Sequence, residues 1–544
     1  MSKKEKEFRT VERKMAMGKK GVIYAITIFL GAFLLFLVQP MVSKYILPWY
    51  GGSPTVWTTC MLFFQTLLLF GYAYAHFLTK NFSVRSQVII HSTLLIISLI
   101  QLPPIPSDSW KPQAGSDPVL GILTLLLVTI GLPYGLLSAT SPLLQRWFSV
   151  ASPKASPYRL YALSNAGSLL ALLGFPFIVE PNLSRLTQGY LWSWGIGLFA
   201  LCCGITGVTF WRAGASSTDS VEPQSKKVES PTRIQKVLWV AFPAVASIFL
   251  LATTNKINQD VIPFPFLWVM PLALYLLSFI ICFEKPRWYS RKIFLLLFVI
   301  ALAGTIWLLK DESELALFPV LTVFPALMFI VSMICHGETA HIKPVPKELT
   351  SYYLHIALGG VLGSIFVVII SPLIFNEYLE YQTGILLTII FLAVVFYTEK
   401  RNPLYRGKKK WAWGILLLVV ITTCWAFYLL WSESLKNTIA LQRNFYGTIQ
   451  IERFGTGDAK YNLKAMSHGL TLHGTQFEDE ELRKLPTTYY TKQSGLGYSI
   501  EYFPQKNDLR IGAIGLGVGT VAAWIDSGDY LRVYEINPDV ISLA

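Results

Sequence analysis

The sequence predicts a multi-span α-helical membrane protein, two six-helix halves plus one extra span, that ends in the start of an α/β domain. Three observations carry this: apolar runs before residue 431, loops that alternate in basic charge, and a strand–glycine–strand pattern near the end. Apolar residues make up 53% of the 544 residues and charged ones 14%, against about 25% charge in soluble proteins. The shortage of charge lies before residue 431, which points to lipid rather than to a large soluble core.

A helix needs about 20 apolar residues to cross the hydrocarbon of a bilayer. Thirteen such runs fall at 21–40, 57–78, 87–103, 119–140, 160–178, 189–211, 237–254, 266–283, 293–309, 316–335, 352–375, 382–397 and 411–431. The third and twelfth are short. The first has no small-residue cleavage site, so it reads as a true span rather than a signal peptide.

The net charge of +14 admits two partners, nucleic acid or a membrane surface. Position decides between them. The basic tail 1–20 and every second loop after it carry thirty lysines and arginines, and the intervening loops carry five. Such a bias sets topology, so nucleic acid is excluded as a partner and the lipid bilayer is implied. The N-terminus and the 212–236 linker are expected in the cytoplasm, with the chain in a cell (inner) membrane. If 411–431 crosses fully, the C-terminal domain lies outside the cytoplasm. The six cysteines sit in or beside apolar runs without metal-ligand spacing, so no metal is expected.

The halves 21–211 and 237–397 echo each other. Pro54-Thr-Val-Trp57 opens the second span and Pro265-Phe-Leu-Trp268 the eighth. Tyr161-Ala-Leu-Ser-Asn-Ala-Gly167-Ser168 opens the fifth, and Tyr353-Leu-His-Ile-Ala-Leu-Gly359-Gly360 the eleventh. Each pair is six spans apart. An even offset keeps orientation, which predicts two parallel halves arranged as in major-facilitator transporters.

Polar groups inside spans are costly, so each is a candidate functional residue. These are Gln39, Gln65, His76, Asn165, Glu180, Asn255, Asp260, His336, Glu338 and His355. Glu180, Asp260, His336 and Glu338 fall at predicted span ends, where contact with water is the simpler reading. Gln39 and Asn165 lie deeper, where helix–helix hydrogen bonding competes with substrate contact.

After residue 431 the composition changes. Residues 432–505 read as a β-hairpin module, with strands in 445–451, 461–467 and 470–472. Residues 506–544 open a nucleoside-binding domain. Leu509-Arg-Ile-Gly-Ala-Ile514 is a buried-type strand, followed by Gly515, Gly517 and Gly519, a helix over 520–526, and a strand Arg532-Val-Tyr-Glu535 that ends in an acid. Glycines let backbone approach a ligand, and an acid twenty residues on is placed for ribose hydroxyls. Dehydrogenases of the Rossmann type and methyltransferase-like proteins share this outline. The spacing of the glycines and the following Glu535-Ile-Asn-Pro538 favour the second.

Arg443-Asn-Phe-Tyr-Gly447, Leu472-His-Gly-Thr-Gln476, 486–490, and Ser494-Gly495-x-Gly497 followed by the glycines and Glu535 resemble a spermidine synthase, a polyamine aminopropyltransferase. Ser141-Pro-Leu-Leu-Gln145, the 157–168 stretch and Glu180-Pro181 resemble the membrane part of fused major-facilitator/spermidine-synthase proteins. The resemblance implies that Gln476 contacts decarboxylated S-adenosylmethionine and that Tyr490 lies near the polyamine pocket. It also implies that Gly515, Gly517 and Gly519 wrap the nucleoside and that Glu535 holds its ribose. The substrate would be a small amine or polyamine; self-association into a homo-oligomer stays open. The sequence stops nine residues after Glu535, before the aspartate with which the family handles the amine. The α/β domain is therefore expected to be truncated, and no catalytic residue is assigned. Two alternatives stand: a transporter or scaffold with a non-catalytic nucleoside-binding domain, and a methyltransferase using S-adenosylmethionine.

Overall fold

The computed structural model describes residues 19–544 except 114, 152–157, 215–230, 261–264, 285, 311–316, 345–347, 456 and 506–507. The basic tail before Lys19, most of the 212–236 linker and the start of the 157–168 motif thus lie outside the described residues. So does the side chain of Asp260.

The first half holds α1 (Lys19–Ile46), α2 (Pro54–Asn81), α3 (Val84–Ser98), α4 (Pro118–Ala151), α5 (Tyr158–Gly174) and α6 (Arg185–Gly214). The second holds α7 (Arg233–Asp260), α8 (Pro265–Glu284), α9 (Arg291–Leu309), α10 (Leu317–His341), α11 (Leu349–Ile365) and α12 (Glu380–Thr398), and α13 (Lys410–Ser434) follows. Among the described residues, thirteen helices are long and apolar enough to cross a membrane, one for each expected run. The chain is a multi-pass, mostly helical protein with a small C-terminal sheet region.

Local chemistry starts these helices. Pro54 follows Ser53, whose side chain accepts from the Thr55 amide, and Ser83 caps α3 by accepting from the Ser86 amide. The short third span is completed by a 3-10 turn, Leu99–Gln101. Small residues then allow close packing. Gly167 of α5 lies on the backbone of α1, where an added Cβ would sit 2.7 Å from the Phe29 carbonyl. Gly359 and Gly363 of α11 lie in the same way on the Val240 and Ala244 carbonyls of α7. Both α5 and α11 continue into a π-turn, Phe175–Val179 and Phe366–Ile370, with Pro181 and Pro372 just beyond. Trp57 and Trp268 stack on each other, centroids 5.3 Å apart and planes at 19°. Helix α7 is central, with 83% of its apolar window buried; α13, with 11%, stands at the edge against α12.

Contacts identify the two ends of the bundle. At one end Lys44 of α1 pairs with Glu180 beyond α5, and Arg185 lies over Tyr45. At the other, Arg291 reaches Glu399, Arg85 lies over Trp211, and Trp239 donates to the Ile342 carbonyl. The second end carries the cation-rich loops.

After α13 the chain forms an antiparallel sheet, β1 (Thr438–Asn444), β2 (Gly447–Phe454), β3 (Leu463–His468) and β4 (Thr471–Phe477), in sequential order. Strand β1 lies inside the expected module but ahead of its first expected strand, 445–451. Its register with β2, Arg443 opposite Thr448, is set by the pairing rather than by a period in Thr-Ile-Ala-Leu-Gln-Arg-Asn. Helix α14 (Gly495–Glu501) is capped by Ser494, and β5 (Arg510–Ile514) pairs in parallel with β6 (Tyr530–Tyr534). The helix expected over 520–526 is instead a single 3-10 turn, Thr520–Trp524. Five residues cannot meet the cost of nucleating an α-helix, and no amphipathic face extends them. A last helix, α15 (Pro538–Leu543), seals a small core of Ile449, Met466 and Val540.

This C-terminal part docks on the bundle end opposite the cation-rich loops. Ser53 donates to the Phe445 carbonyl at 2.8 Å, the Tyr50 and Phe445 rings meet edge to face, and Gly469 abuts Gln259.

Candidate functional site

The glycine bend joins β5 to the 3-10 turn. Gly515, Gly517 and Gly519 all have positive φ, at 91°, 56° and 74°. Side chains rarely adopt this backbone, so the bend needs glycine. Glu535, just past β6, anchors it: Oε2 accepts from the Leu516 amide and Oε1 from the Asn537 amide, each at 2.8 Å. A carboxylate offers about four acceptor positions, so two remain for a ligand's hydroxyls.

The β-module forms the other wall. Gly517 faces the His473 carbonyl, and Gly474 faces Val518 and Thr520. Gln476, two residues along β4, shares the Gly474 face and is exposed. Tyr490 is tied in through its backbone carbonyl, which accepts from the Trp524 indole at 2.9 Å; its ring lies 4.5 Å from that of Tyr489. Gly515, Gly517, Gly519 and Glu535 thus build one bend, bordered by the β4 backbone at His473 and Gly474, while the Tyr490 carbonyl is tied to the following turn through Trp524 and Gln476 stands exposed further along β4. The helix expected over 520–526 contributes no N-terminus here, because only the 3-10 turn forms.

Two residues outside the expected set join them. His468 and His473 stack with centroids 5.8 Å apart. Burial holds both imidazoles below their usual pKa; His473 lowers His468 further, and Glu535 pulls both back up. The His473 Nε2 is buried without a partner. The paired His-Gly steps at 468–469 and 473–474 were the available sequence signal.

The polar residues of the spans divide. Gln39 and Asn165 line a cavity of about 200 Å³ between the halves, together with Tyr134, Tyr275 and Tyr353. The Gln39 amide donates to the Tyr134 hydroxyl at 3.1 Å, while Gln39 Oε1 and Asn165 Nδ2 are buried without partners. Gln65 accepts from Ser247 and Ser364, joining α2 to α7 and α11. Glu180 takes the Lys44 ion pair. His355 bonds within its own helix to the Ser351 carbonyl. Asn255 is buried in α7, and His76 is half-buried near the end of α2.

His336 and Glu338 overturn the reading of water-facing residues, since both are buried. Two residues apart on a helix, they point to different neighbours. His336 shares a hydrogen bond with Ser278 at 2.9 Å. Glu338 accepts from Tyr289 at 2.7 Å and, through both oxygens, from Arg291. Among the described residues, no group of three histidine, cysteine or acidic side chains is arranged to hold a metal ion.

The sequence also left unread a buried pair at the docking junction. Arg443 of β1 donates to Glu380 at the start of α12 and to the Glu377 carbonyl, and its guanidinium lies 4.1 Å from the Tyr378 ring centroid.

Compared with known protein families and with curated proteins, the chain matches no family model and no curated sequence.

Proposed function

We propose that this is a membrane-anchored, spermidine-synthase-like protein whose C-terminal domain binds decarboxylated S-adenosylmethionine at the 515–519 bend. The observation that supports this is the bend of three positive-φ glycines closed by the Glu535 carboxylate; Gln476 and Tyr490 enter the reading through the family resemblance. Backbone amides and a carboxylate with spare acceptor capacity suit a nucleoside's ribose. Aminopropyl transfer to an amine is the associated chemistry; S-adenosylmethionine, and hence methyl transfer, is the competing ligand. The domain works on the membrane face opposite the cation-rich loops, which the charge bias makes the non-cytoplasmic face.

Titration of the detergent-solubilised chain with each nucleoside tests the proposal. Decarboxylated S-adenosylmethionine should bind the more tightly, and Glu535→Ala should abolish binding while the membrane part melts unchanged. Equal affinity of wild type and Glu535→Ala would remove the site. A cysteine introduced at the exposed Lys492 should react with a membrane-impermeant maleimide from outside intact cells; reaction only after lysis would reverse the orientation.

The cavity between the halves favours a second reading, a transporter or membrane-embedded binding protein with a nucleoside-sensing domain. The matched Gly167 and Gly359 contacts, the paired π-turns and the Trp57–Trp268 stack support two parallel six-helix halves related as in major-facilitator proteins. Among the described residues, no lysine, arginine, aspartate, glutamate or histidine lines that cavity. Its wall of amides, hydroxyls and aromatic rings suits an uncharged ligand rather than a polyamine cation. Proteoliposome uptake of neutral solutes, lost on Asn165→Leu, would favour this reading over the first.

A further inference from the structure

Two of the thirteen spans are more open than the rest. Helices α9 and α13 have 22% and 11% of their apolar windows buried, the lowest values in the bundle. They stand side by side, with α13 packed on both α12 and α9. Each shows an exposed apolar stripe: Ile293, Leu296 and Ile300 on α9, and Trp411, Ile415 and Leu418 on α13. Steps of three and four residues keep such a stripe on one side of a helix. Exposed tryptophans mark where the stripes meet the headgroup layer. Trp411 and Trp431 lie near the two ends of α13, about 30 Å apart at about 1.5 Å per residue, which matches the hydrocarbon thickness. Trp288 and Trp307 flank α9 in the same way.

Both stripes are headed by cations at the same end. The loop from α12 to α13 carries Lys400, Arg401, Arg406, Lys408, Lys409 and Lys410, all exposed, and Arg287 and Lys292 stand on either side of the α9 start. The loop is held against the first turn of α13. Asn402 Oδ1 accepts from the Leu404 amide at 2.9 Å, and the Trp413 indole donates to the Leu404 carbonyl at 3.1 Å. Among the described residues, no carboxylate pairs with any of the six loop cations, and the acid next to them, Glu399, is already held by Arg291. Topology needs only the sign of a loop's charge. It does not need that charge to crown the two most open helices. Cations at headgroup depth above apolar stripes complement a ligand with an anionic head and acyl tails. We propose that the face formed by α9, α12 and α13 binds an anionic phospholipid, with its phosphate among the loop cations and its chains along the two stripes. The site lies at the bundle end opposite the docked sheet and does not rest on the nucleoside reading.

The test uses the delipidated full chain in detergent, read by native mass spectrometry, with dioleoyl-phosphatidylglycerol, dioleoyl-phosphatidylcholine and glycerol phosphate as probes. The first lipid should bind about tenfold or more tightly than the second, which has the same chains and no net charge. Glycerol phosphate, the head without the chains, should not displace it. Lys408→Gln, Lys409→Gln and Lys410→Gln together should weaken phosphatidylglycerol binding about tenfold or more and leave phosphatidylcholine binding unchanged. Removing the same charge elsewhere at that end, with Lys80→Gln, Arg146→Gln and Lys236→Gln, should leave the preference intact. Equal binding of the two lipids to the wild-type chain would overturn the proposal whatever the variants do. So would equal losses from the two triple variants, which would show general surface charge rather than a site. Displacement by glycerol phosphate at equal concentration would overturn it too, by showing an anion site with no place for chains.

Discussion

Each end of the bundle holds a buried arginine–carboxylate pair, and the two are built differently. At the cation-rich end Arg291 bridges Glu338 and Glu399, Tyr289 donates to Glu338, and both Glu338 oxygens are engaged. At the docking end Arg443 takes one oxygen of Glu380 and leaves the other unmatched. The first joins α9, α10 and the end of α12 within one half. The second joins a soluble strand to a membrane helix. One network uses every carboxylate oxygen of its buried acid; the other leaves one oxygen unpaired in the junction. Burial also differs: the Arg443 side chain is 3% exposed and that of Arg291 25%.

Breaking the pairs should therefore have unequal effects. Arg443→Met strands a buried carboxylate, and removing one partner of such a pair costs about 3–5 kcal/mol. Undocking of the C-terminal part should follow, read as rapid protease cleavage just after α13 in otherwise intact protein. Arg291→Met leaves Glu338 its Tyr289 bond and leaves Glu399 partly exposed and beside His341, so a loss of about 1.5–3 kcal/mol is expected from thermal melts. Equal losses would show that burial does not rank the two ends. The contact between the halves is smaller again. A double-mutant cycle of Trp57→Leu and Trp268→Leu should give about 0.5–1.5 kcal/mol of coupling, the range for an aromatic pair; zero coupling would make the stack incidental.

The smallest effect concerns pH. His468 and His473 bind protons less readily folded than unfolded. Below the usual histidine pKa of about 6.5 the unfolded chain therefore takes up more protons, and stability falls as pH falls. Above that pH the term is fully retained. Melting of the C-terminal part should drop as pH is lowered from 7 to 5, and His473→Gln should flatten the slope. An unchanged slope would put the two imidazoles in water.

The thirteen spans were legible because lipid demands about 20 apolar residues and leaves few alternatives. The Pro-x-x-Trp steps that open α2 and α8 were legible, though not that Trp57 and Trp268 meet. Strand β1 escaped because pairing, not period, makes it a strand. The helix after the glycines was over-read: glycines mark a bend but do not supply the length a helix needs. Glu338 was misjudged because its partners, Tyr289 and Arg291, stand nearly fifty residues earlier. Glu380 went unread for the same reason, its arginine arriving 63 residues later. Sequence distance hides charge pairing far better than it hides hydrophobic period.

The docked sheet touches both halves of the bundle, through Ser53 and Tyr50 on one side and Gln259 and Glu380 on the other. One helical turn further in, beside Met61 and Leu272 of the inter-half cavity, the two tryptophans close the gap between the halves. The molecule is thus stapled at one mouth. On the transporter reading, rocking of the bundle would pivot about that staple and swing widest at the far mouth, on the side of the basic loops.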